Sequence, residues 1–583
     1  MRRRRLLWLT DIPCSALPVI SAVIPHTLVE HVKPRKDALA AAIGQFFDVC
    51  VIGGGATGAG CALDGQLRGL RAILLDAGDF ASAASSASTK LVHGGVRYLE
   101  QAVKSLNLEE YRMVKSALRE RQYMLANAPH LAHPSYFLVP VYSWTKALYY
   151  FAGMKMYDAV AGKSNLFPSS FLPREETLRR MPGLNARGLR GAVAYSDGQF
   201  DDARYDLALV ETFVEAGGTA LNYARVTSFA QDANGKLTAA HVRDAISGAD
   251  PGTEFPVRAR QFVNATGTGA DKVRALANPQ LPGRMRPSKG VHLLFPAESF
   301  PGKDALLVPH TEDGRVIFAV PWQERLLVGT TDDEVTPATR MLVQKDEAEY
   351  LLRQLNPYLQ TPLRLDQAVS GLAGLRPLVA ARGETETSRL IRDHEVELDS
   401  TSGLISILGG KWTTHRLMAQ DTMDAVEREM EMPVSASLTR QQPLAGSQGY
   451  SSNFASQLEK EYALPADVAR HLAGKFGARA LKIVELLDEN PEWKARVAAG
   501  VPAIHAEIVH SIRFEMAETI EDVLARRTGV QMYGWKVALD AAPIAGNLLA
   551  GEKGWDRARE AAAVAEYSSK IRGFLNELEL GED

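Results

Sequence analysis

The sequence predicts an α/β fold with a Rossmann-like nucleotide-binding domain, a sheet-containing domain interleaved with it, and a helical C-terminal domain. The first observation is the order of elements over residues 47–76: an apolar run, a glycine-rich turn, a helix of small residues and a second apolar run. Such runs are typical of strands buried on both faces of a parallel sheet. The chain of 583 residues is also too long for a single hydrophobic core. We therefore predict a βαβ opening within a protein of several domains.

Later segments predict how the sheet is completed. The apolar strand at residues 261–263 runs into Asn264-Ala265-Thr266-Gly267, and the strand at residues 404–408 runs into a glycine turn. Between them, residues 291–295, 316–320 and 326–329 have the pattern of further strands. We expect the nucleotide domain to form from separated segments, with a substrate-binding sheet domain between them.

The C-terminal part of the chain shows only helical patterns. Helical spacing predicts one long amphipathic helix whose apolar face carries Ile508, Ile512, Met516, Ile520, Val523 and Leu524. We therefore expect an N-terminal extension at residues 1–45, the two interleaved domains at residues 46–440, and a helical domain with a structural or docking role at residues 441–583.

The N-terminal extension opens with four arginines at residues 2–5. An apolar stretch follows, which is interrupted by Asp11, Pro13, Pro18 and Pro25. This pattern is too broken for a signal peptide, and a transit peptide would contain more serine. We expect a poorly ordered extension, or translated sequence upstream of the true start, with the fold beginning near Phe46.

Composition argues against several classes of function. The net charge is −3 and the pI about 6.5, so no basic field attracts nucleic acid. The three cysteines, Cys14, Cys50 and Cys61, cannot form a disulfide framework in a chain of this size, which indicates a reducing compartment. No Cys/His cluster has metal-ligand spacing, and no apolar run reaches the roughly 18 residues of a transmembrane helix. We predict no metal site and no nucleic-acid partner.

The glycine turn has the features of a dinucleotide site. Gly53, Gly55 and Gly58 follow a buried strand at the spacing of the dinucleotide fingerprint, and Asp76 ends the next strand. Gly53 permits a tight turn, Gly55 lets the backbone approach a pyrophosphate, and Gly58 lets helix and strand pack closely. The helix N-terminus offers N–H groups to the phosphates, and Asp76 can hold the ribose hydroxyls. The alternative is a turn without a ligand.

The turn alone does not decide between NAD and FAD. A single dinucleotide turn at the start of the fold, with residues 264–267 far downstream, favours a flavin. A long motif at residues 85–99, SSASTKLVHGGVRYL, closely resembles the signature of FAD-dependent glycerol-3-phosphate dehydrogenases. Residues 153–158, 195–199, 329–332 and 409–414 resemble further motifs of that family, and the resemblance runs from about residue 47 to residue 416.

The resemblance implies a glutathione-reductase-type FAD-binding domain. It also implies oxidation of glycerol 3-phosphate to dihydroxyacetone phosphate, with electrons passed through FAD to membrane quinone. Backbone N–H groups of Gly409 and Gly410 are expected at the pyrimidine edge of the flavin ring, where donors stabilise the reduced flavin. The implied cofactor-binding residues are Gly53, Gly55, Ala56, Thr57, Gly58, Asp76, Ser86, Lys90, His93, Gly94, Gly95, Ala265, Thr266, Gly267, Gly409, Gly410, Lys411 and Thr413.

A phosphorylated polyol requires cationic side chains for its phosphate. Arginine suits this task because its planar fork donates two hydrogen bonds at once. The resemblance assigns Arg97, Arg392 and Lys411 to the substrate, with Tyr98 as a hydroxyl donor.

Oxidation at C2 also requires a base for the hydroxyl proton. His292 is the first choice because its usual pKa of about 6.5 suits proton transfer near neutrality. The alternative, a structural core histidine, is set aside because the resemblance implies a site histidine here. Arg376 is a poor base but can stabilise a developing alkoxide. Which of the two handles the proton stays open.

The sequence departs from the family pattern at a few positions. Asp76 stands where glutamate is usual, Ala373 where serine is usual, and His415 where tyrosine is usual. None of these changes removes a proposed ligand. An acidic calcium loop like that of the animal mitochondrial members is absent from the C-terminal region, which favours a bacterial-type enzyme that is cytoplasmic and peripheral on the inner face of the plasma membrane.

Quinone reduction requires contact with a membrane surface. Residues 144–151 with Lys155 combine aromatic and basic side chains, as an interfacial segment does, and the alternative is an aromatic core helix. A homodimer is compatible with the sequence. Two other functions remain as alternatives: a glycerol-3-phosphate oxidase that uses oxygen and releases peroxide, and a non-catalytic flavin protein, against which the intact His292 and Arg376 argue.

Overall fold

The computed structural model describes residues 35–96, 99, 108–246, 254–309, 311–336, 341–380 and 393–581. Three residues expected to bind the substrate, Arg97, Tyr98 and Arg392, lie outside these residues. Within the described residues the strands form two sheets, of eight and ten strands.

In chain order the strands are β1 (Phe46–Ile52), β2 (Ala72–Leu75), β3 (Leu91–Val92), β4 (Ala132–Val141), β5 (Ser170–Pro173), β6 (Gly191–Phe200), β7 (Thr219–Leu221), β8 (Ala224–Gln231), β9 (Leu237–Asp244), β10 (Glu254–Asn264), β11 (Ser288–Pro296), β12 (Ala305–Val308), β13 (Ile317–Trp322), β14 (Arg325–Gly329), β15 (Asp333–Glu334), β16 (Ser370–Arg376), β17 (His394–Leu398) and β18 (Ile405–Gly409). Seven strands, β1, β2, β10, β11, β13, β14 and β18, occur where apolar runs predict them, and the others were not predicted.

Helices connect the strands and form the C-terminal part of the chain. In chain order they are α1 (Arg35–Gly44), α2 (Ala56–Leu67), α3 (Leu108–Asn127), α4 (Trp144–Ala161), α5 (Arg174–Arg180), α6 (Asp202–Glu215), α7 (Ala270–Ala277), α8 (Lys345–Leu355), α9 (His415–Glu429), α10 (Phe454–Glu461), α11 (Ala466–Phe476), α12 (Ala480–Glu489), α13 (His505–Phe514), α14 (Val530–Tyr533), α15 (Trp535–Lys553) and α16 (Arg557–Glu577).

The first sheet is the nucleotide sheet. Its order is β17-β18-β10-β1-β2-β7, with the β8–β9 hairpin attached to β10. The strands β18, β10, β1, β2 and β7 run parallel, and β1 lies between β10 and β2. Val49, Val51 and their neighbours on β1 are fully buried because helices cover the sheet. The sheet is thus assembled from segments that extend from β1 at Phe46–Ile52 to β18 at Ile405–Gly409, as expected from the positions of the apolar runs.

The second sheet is the substrate sheet. Its order is β15-β11-β14-β13-β12-β4-β6-β3, with β16 paired to β11 and β5 to β6. Most of its pairs are antiparallel, and β11 lies between β14 and β16. This central position holds β11 rigidly by hydrogen bonds along both edges, which makes it a firm base for functional side chains.

One expectation about the C-terminal helices is wrong. The six apolar residues of the predicted helix face are all buried, but they do not belong to one helix. Helix α13 ends first, Met516 has a φ of +53°, and a π-helix follows at Asp522–Arg527. The break occurs where Glu515 binds two partners: its carboxylate accepts from Arg204 at 2.8 and 2.9 Å, and its carbonyl accepts from Arg527 at 2.7 Å. These tertiary polar contacts override the local helical periodicity.

The expected start of the fold near Phe46 is also wrong. Residues 35–44 form α1, in which Ala38 and Ala42 are buried. Arg35 anchors the helix through an ion pair with Asp244 at 2.8 Å. The packed structure therefore includes residues 35–45 of the expected extension. No helix among the described residues is long and apolar enough to cross a membrane.

Candidate active site

The carboxyl ends of four parallel strands meet at one edge of the nucleotide sheet. Gly53 follows β1, Asp76 follows β2, Ala265 follows β10 and Gly410 follows β18. Because these strands run parallel and adjacent to one another, the four residues reach the same edge. The segments that the sequence predicts to bind the cofactor therefore lie together at this edge.

The glycine turn leaves no room for side chains. Gly53 has a φ of +110°, and a Cβ there would lie 2.6 Å from the carbonyl oxygen of Ala265. A Cβ on Gly58 would lie 1.7 Å from the carbonyl oxygen of Gly53. The start of α2 therefore packs against the β1 backbone, so that the N–H groups of the first helical turn face the edge.

Asp76 is held by the backbone on both of its oxygens. Oδ2 accepts a hydrogen bond from the N–H of Gly54 at 2.6 Å, and Oδ1 accepts one from Gly78 at 2.8 Å. Burial raises the pKa of Asp76 to about 6, and the two backbone donors oppose that rise. At neutral pH the carboxylate is ionised, and the remaining lone pairs can accept from ribose hydroxyls.

The loop that follows β2 folds over the glycine turn. Ser85 Oγ accepts a hydrogen bond from the N–H of Ala56 at 2.9 Å, and a Cβ on Gly55 would lie 2.7 Å from that hydroxyl. The indole of Trp412 donates to the carbonyl of Ser85 at 2.9 Å. Neither Ser85 nor Trp412 was assigned a role from sequence, although both lie inside the family-like motifs.

Lys90 is buried in an ion pair. Its Nζ contacts Asp202 Oδ1 at 2.5 Å and donates to the carbonyl of Ser86 at 2.7 Å. The same carboxylate accepts from the N–H and hydroxyl of Ser88 at 3.0 and 2.7 Å. Asp202, the first residue of α6, thus fixes the fold of the 86–90 segment. No local sequence signal indicates this role for Asp202, because its partners lie more than a hundred residues away.

Two further segments expected to bind the cofactor, residues 93–95 and 411–413, lie next to this loop. The N–H of His93 donates to Thr413 Oγ1 at 3.3 Å, and the N–H of Gly94 donates to the hydroxyl of Tyr157 at 2.8 Å. A Cβ on Gly94 would lie 2.6 Å from that hydroxyl, so glycine is required here. Burial lowers the pKa of His93, which keeps its imidazole neutral at neutral pH. The 93–95 and 411–413 segments are therefore in direct contact.

The turns after β10 and β18 are also fixed by close packing. Thr266 donates its hydroxyl to Asn264 Oδ1 at 2.6 Å, and Asn264 in turn donates to the carbonyl of Ala270 at 3.0 Å. Gly410 has a φ of +91°, and a Cβ there would lie 2.3 Å from the sulfur of Met418. His415 is buried beside this turn, and its Nδ1 lies 3.0 Å from the carbonyl of Trp412.

His292 is buried on β11 and is only partly hydrogen-bonded. Its Nε2 lies 3.0 Å from Thr89 Oγ1, while Nδ1 has no hydrogen-bond partner among the described residues. Burial, together with the nearby charges of Arg376 and Lys90, lowers the pKa of His292 to about 3. This differs from the ordinary value of about 6.5 on which the sequence argument relied. At neutral pH the imidazole is neutral.

Arg376 lies on the same face of the substrate sheet as His292. It pairs with Ser288 across β16 and β11, while His292 pairs with Leu372, so both side chains point the same way. Its guanidinium donates to Thr330 Oγ1 and to the carbonyl of Thr331, both at 2.9 Å, and pairs with Asp332 at 3.1 Å. About a third of the side chain is exposed.

Glycines separate the two side chains. Gly290 and Gly374 face each other between them in the strand pairing. A Cβ on Gly290 would lie 2.4 Å from Arg376 Nη2, and one on Gly374 would lie 2.7 Å from the Cβ of Ala87. The 85–89 loop of the nucleotide domain therefore lies directly over the face that carries His292 and Arg376.

These residues fit a flavin dinucleotide. A helix N-terminus with a side-chain-free turn suits a pyrophosphate, and Asp76 suits a ribose. The loop contacts to Thr89 and Ala87 connect this edge to the substrate face. Of the expected substrate ligands, Lys411 lies in the same segment as Thr413, with its Nζ 3.4 Å from the sulfur of Met113.

Comparisons with known proteins agree with this geometry. Residues 48–416 match the model of the FAD dependent oxidoreductase family, and residues 437–560 match the C-terminal domain of alpha-glycerophosphate oxidase. The chain is 38% identical to a probable mitochondrial glycerol-3-phosphate dehydrogenase of Caenorhabditis elegans, covering 94% of this chain and 76% of that protein. It is also 38% identical to the human mitochondrial glycerol-3-phosphate dehydrogenase, covering 88% of this chain and 71% of the human protein.

A solved structure is similar along almost the whole chain. It is the glycerol-3-phosphate dehydrogenase of Bacillus halodurans complexed with FAD, with a TM-score of 0.74 and 28% identity over 95% of this chain and 98% of that one. The predicted fold class, the FAD cofactor and the assignment as an oxidoreductase are thereby confirmed. The protein belongs to the family of FAD-dependent glycerol-3-phosphate dehydrogenases.

Proposed function

We propose that the protein oxidises sn-glycerol 3-phosphate at C2 to dihydroxyacetone phosphate and passes the two electrons to a membrane quinone. In this reaction the C2–H bond breaks, a C=O bond forms, and the substrate loses a hydride and its hydroxyl proton. Bound FAD supplies the acceptor for the hydride. The names of the dehydrogenase relatives support the substrate.

The observation that carries the proposal is that Nδ1 of His292 has no hydrogen-bond partner in the part of the chain that the structure describes. A buried polar atom without a partner is rare, and it is expected where a ligand completes the site. The tautomer that donates from Nε2 to Thr89 leaves the Nδ1 lone pair able to accept a proton. The pKa of about 3 keeps this lone pair unprotonated at neutral pH, although the same shift makes the imidazole a weaker base than free histidine.

Arg376 complements the base. Its guanidinium remains charged, and its donors lie on the face shared with His292. We assign it to the developing alkoxide oxygen, where a fixed positive charge stabilises the transition state more than the ground state. The adjacent charge also keeps His292 neutral before reaction.

The substrate phosphate requires further cations. We propose Arg97, Arg392 and Lys411, with the Tyr98 hydroxyl, for this role on the basis of the family motifs. Lys411 follows the Gly409–Gly410 turn and lies two residues before Thr413, which contacts His93. We also propose that the residues inferred from the sequence bind FAD, and that Ser85 and Asp202 position the glycine turn and the 86–90 segment through their hydrogen bonds to Ala56 and Ser88.

Helix α4 supports contact with a membrane surface. Trp144, Leu148 and Tyr149 are 62%, 71% and 49% exposed, while Ala147 and Met154 on the opposite face are buried. This distribution argues against the alternative of an aromatic core helix. Exposed aromatic and aliphatic side chains beside Lys146 and Lys155 suit a lipid interface.

Membrane contact can be tested with the full-length protein. The Leu148→Glu variant should lose most of its sedimentation with anionic lipid vesicles, because a charge replaces the most exposed apolar side chain of the helix. Ala561→Glu, at an exposed position of α16, is the control for added charge. Equal sedimentation of Leu148→Glu and the wild type would contradict the α4 assignment.

The reaction is tested by anaerobic reduction. The purified yellow protein should lose the visible absorbance of oxidised FAD when mixed with sn-glycerol 3-phosphate, and should keep it with glycerol or the sn-1 enantiomer. Adding a quinone analogue should then restore the colour faster than adding oxygen. Absence of bleaching would overturn the proposed reaction.

Oxygen is the second candidate acceptor. The C-terminal match to a domain of alpha-glycerophosphate oxidase keeps this alternative open. Rapid reoxidation by oxygen with stoichiometric peroxide would identify an oxidase. With quinone as acceptor, we propose a cytoplasmic, bacterial-type enzyme that is peripheral on the inner face of the plasma membrane. A homodimer is compatible with this arrangement.

A further inference from the structure

The helical C-terminal domain reaches the cofactor edge through a buried carboxylate. Asp79 lies three residues after Asp76 and is fully buried. Its Oδ1 accepts from Arg527 Nη2 at 2.8 Å and from Asn222 Nδ2 at 3.2 Å, and its Oδ2 accepts from Arg526 Nε at 2.5 Å and from the second nitrogen of Arg527. Both arginines belong to the π-helix Asp522–Arg527. Burial favours a neutral Asp79, but the two guanidinium groups hold its pKa below the usual value.

The Asp79 segment supports the glycine turn directly. The N–H of Ala81 donates to the carbonyl of Gly54 at 3.1 Å, and a Cβ on Gly54 would lie 2.6 Å from the ring of Phe80. Gly78, on the other side of Asp79, donates its N–H to Asp76. The position of Asp79 therefore determines where the glycine turn and the carboxylate of Asp76 lie.

A second ion pair joins the same two parts of the chain. Lys475 of α11 contacts Asp201 Oδ2 at 2.8 Å, and both side chains are almost fully buried. Asp201 precedes Asp202, the residue that holds Lys90 and Ser88. The 76–81 loop and the segment before α6 thus form buried ion pairs with side chains of the C-terminal domain.

We propose that the C-terminal domain is part of the FAD-retention machinery, with Arg527 and Arg526 as positioning residues that hold Asp79 and so fix residues 76–81 beneath the glycine turn. The inference rests on FAD dependence and not on the identity of the substrate or the electron acceptor. Buried ion pairs give geometric specificity, and removing one partner leaves an uncompensated charge.

Arg527→Met tests the proposal against a matched control. Arg513→Met breaks a different ion pair, which lies within the C-terminal domain and joins Arg513 to Glu489 and Glu552. We expect Arg527→Met to release FAD about tenfold faster than Arg513→Met, equivalent to about 1.4 kcal/mol, at matching far-ultraviolet circular dichroism. The measurement is the rise of flavin fluorescence after dilution of the holoprotein. Equal release rates would overturn the proposal.

A second measurement needs no variant and decides the question if Arg527→Met does not fold. Coupling between two sites is reciprocal, so FAD must protect the C-terminal arginines if they protect FAD. Hydrogen exchange of the wild-type holoprotein and apoprotein should show deprotection on FAD removal at residues 76–81 and 515–528. Helix α16 should change much less. Deprotection of residues 76–81 without any change at 515–528 would overturn the proposal.

Discussion

The nucleotide edge depends on glycines, whereas the substrate face depends on particular functional side chains. At the nucleotide edge the essential features are missing side chains: Gly53 and Gly58 allow backbone to approach backbone. On the substrate face the essential features are side chains, His292 and Arg376, which β11 and β16 hold on one surface. The first region should therefore be sensitive to any added atom, and the second to the loss of particular chemical groups.

The two sheets also set opposite charge states for the same residue type. His292 on the substrate sheet has a pKa lowered to about 3 by burial and by neighbouring cations. His394 on β17 lies 2.8 Å from Asp421 and 3.1 Å from Asp393, and these contacts raise its pKa to about 9 despite burial. Neighbouring charge thus decides whether a buried histidine is a neutral acceptor or a fixed cation.

The largest effect is expected at Gly58. In Gly58→Ala the new Cβ would lie 1.7 Å from the carbonyl oxygen of Gly53, which is backbone and cannot move aside. The protein should be purified with almost no FAD, as measured by the ratio of flavin to protein absorbance. Gly153→Ala in α4 is the control, because a Cβ there would meet no described atom within 4 Å outside its own stretch of helix. Stoichiometric FAD in Gly58→Ala would show that the turn does not need a bare backbone.

The next largest effect is expected at His292. His292→Ala should keep its FAD and reduce it about 10²–10⁴-fold more slowly with glycerol 3-phosphate, because proton transfer contributes that much. Rapid mixing under anaerobic conditions measures this rate, with His133→Ala on β4 as the control. In the wild type the rate should not fall as pH drops through 6.5, since His292 titrates near 3. Unchanged reduction in His292→Ala would remove this residue from the mechanism.

A smaller, pH-dependent effect is expected at Asp76. Its pKa in the folded protein, about 6, is above the usual 3.8, and ribose hydroxyls donate best to the ionised form. The FAD affinity of the apoprotein should therefore rise by about tenfold between pH 5 and pH 7. Fluorescence titration at each pH measures it. Asp76→Asn should bind FAD weakly with no such rise, and a persisting rise would assign the titration to another group.

Asp76 also affects the stability of the apoprotein in the opposite direction. Its raised pKa means that the folded state binds more protons than the unfolded state between about pH 3.8 and pH 6. The free energy of unfolding contributed by Asp76 is therefore present below pH 3.8 and is lost as the pH rises through 6.

The smallest effect is expected at His394. Its raised pKa contributes stability that is fully present below pH 6.5 and is lost as the pH rises through about 9. Replacing it in His394→Gln should lower the free energy of unfolding by about 1 kcal/mol at pH 6, because both aspartates are substantially exposed. Urea unfolding at pH 6 and pH 9.5 measures this. A difference that grows with pH would contradict the assigned charge state.

Much of this protein is determined by local sequence. The strand–turn–helix–strand order, the glycines at 53, 55 and 58, and Asp76 could be predicted because spacing along the chain fixes their relation in space. The motif at residues 85–99 indicated the family for the same reason. The helix predicted from local periodicity is interrupted at Met516. The helical pattern carries no information about the contacts of Glu515 with Arg204 and Arg527, which cause this break.

Only the tertiary structure decided which charges neutralise each other and which atoms lack partners. Lys90 meets Asp202, and Asp79 meets Arg527, across 112 and 448 residues of sequence. The pKa of His292 likewise depends on burial and on Arg376 from another strand. The physical reason is that backbone conformation depends on neighbouring residues in the chain, whereas electrostatic energy depends on neighbours in space.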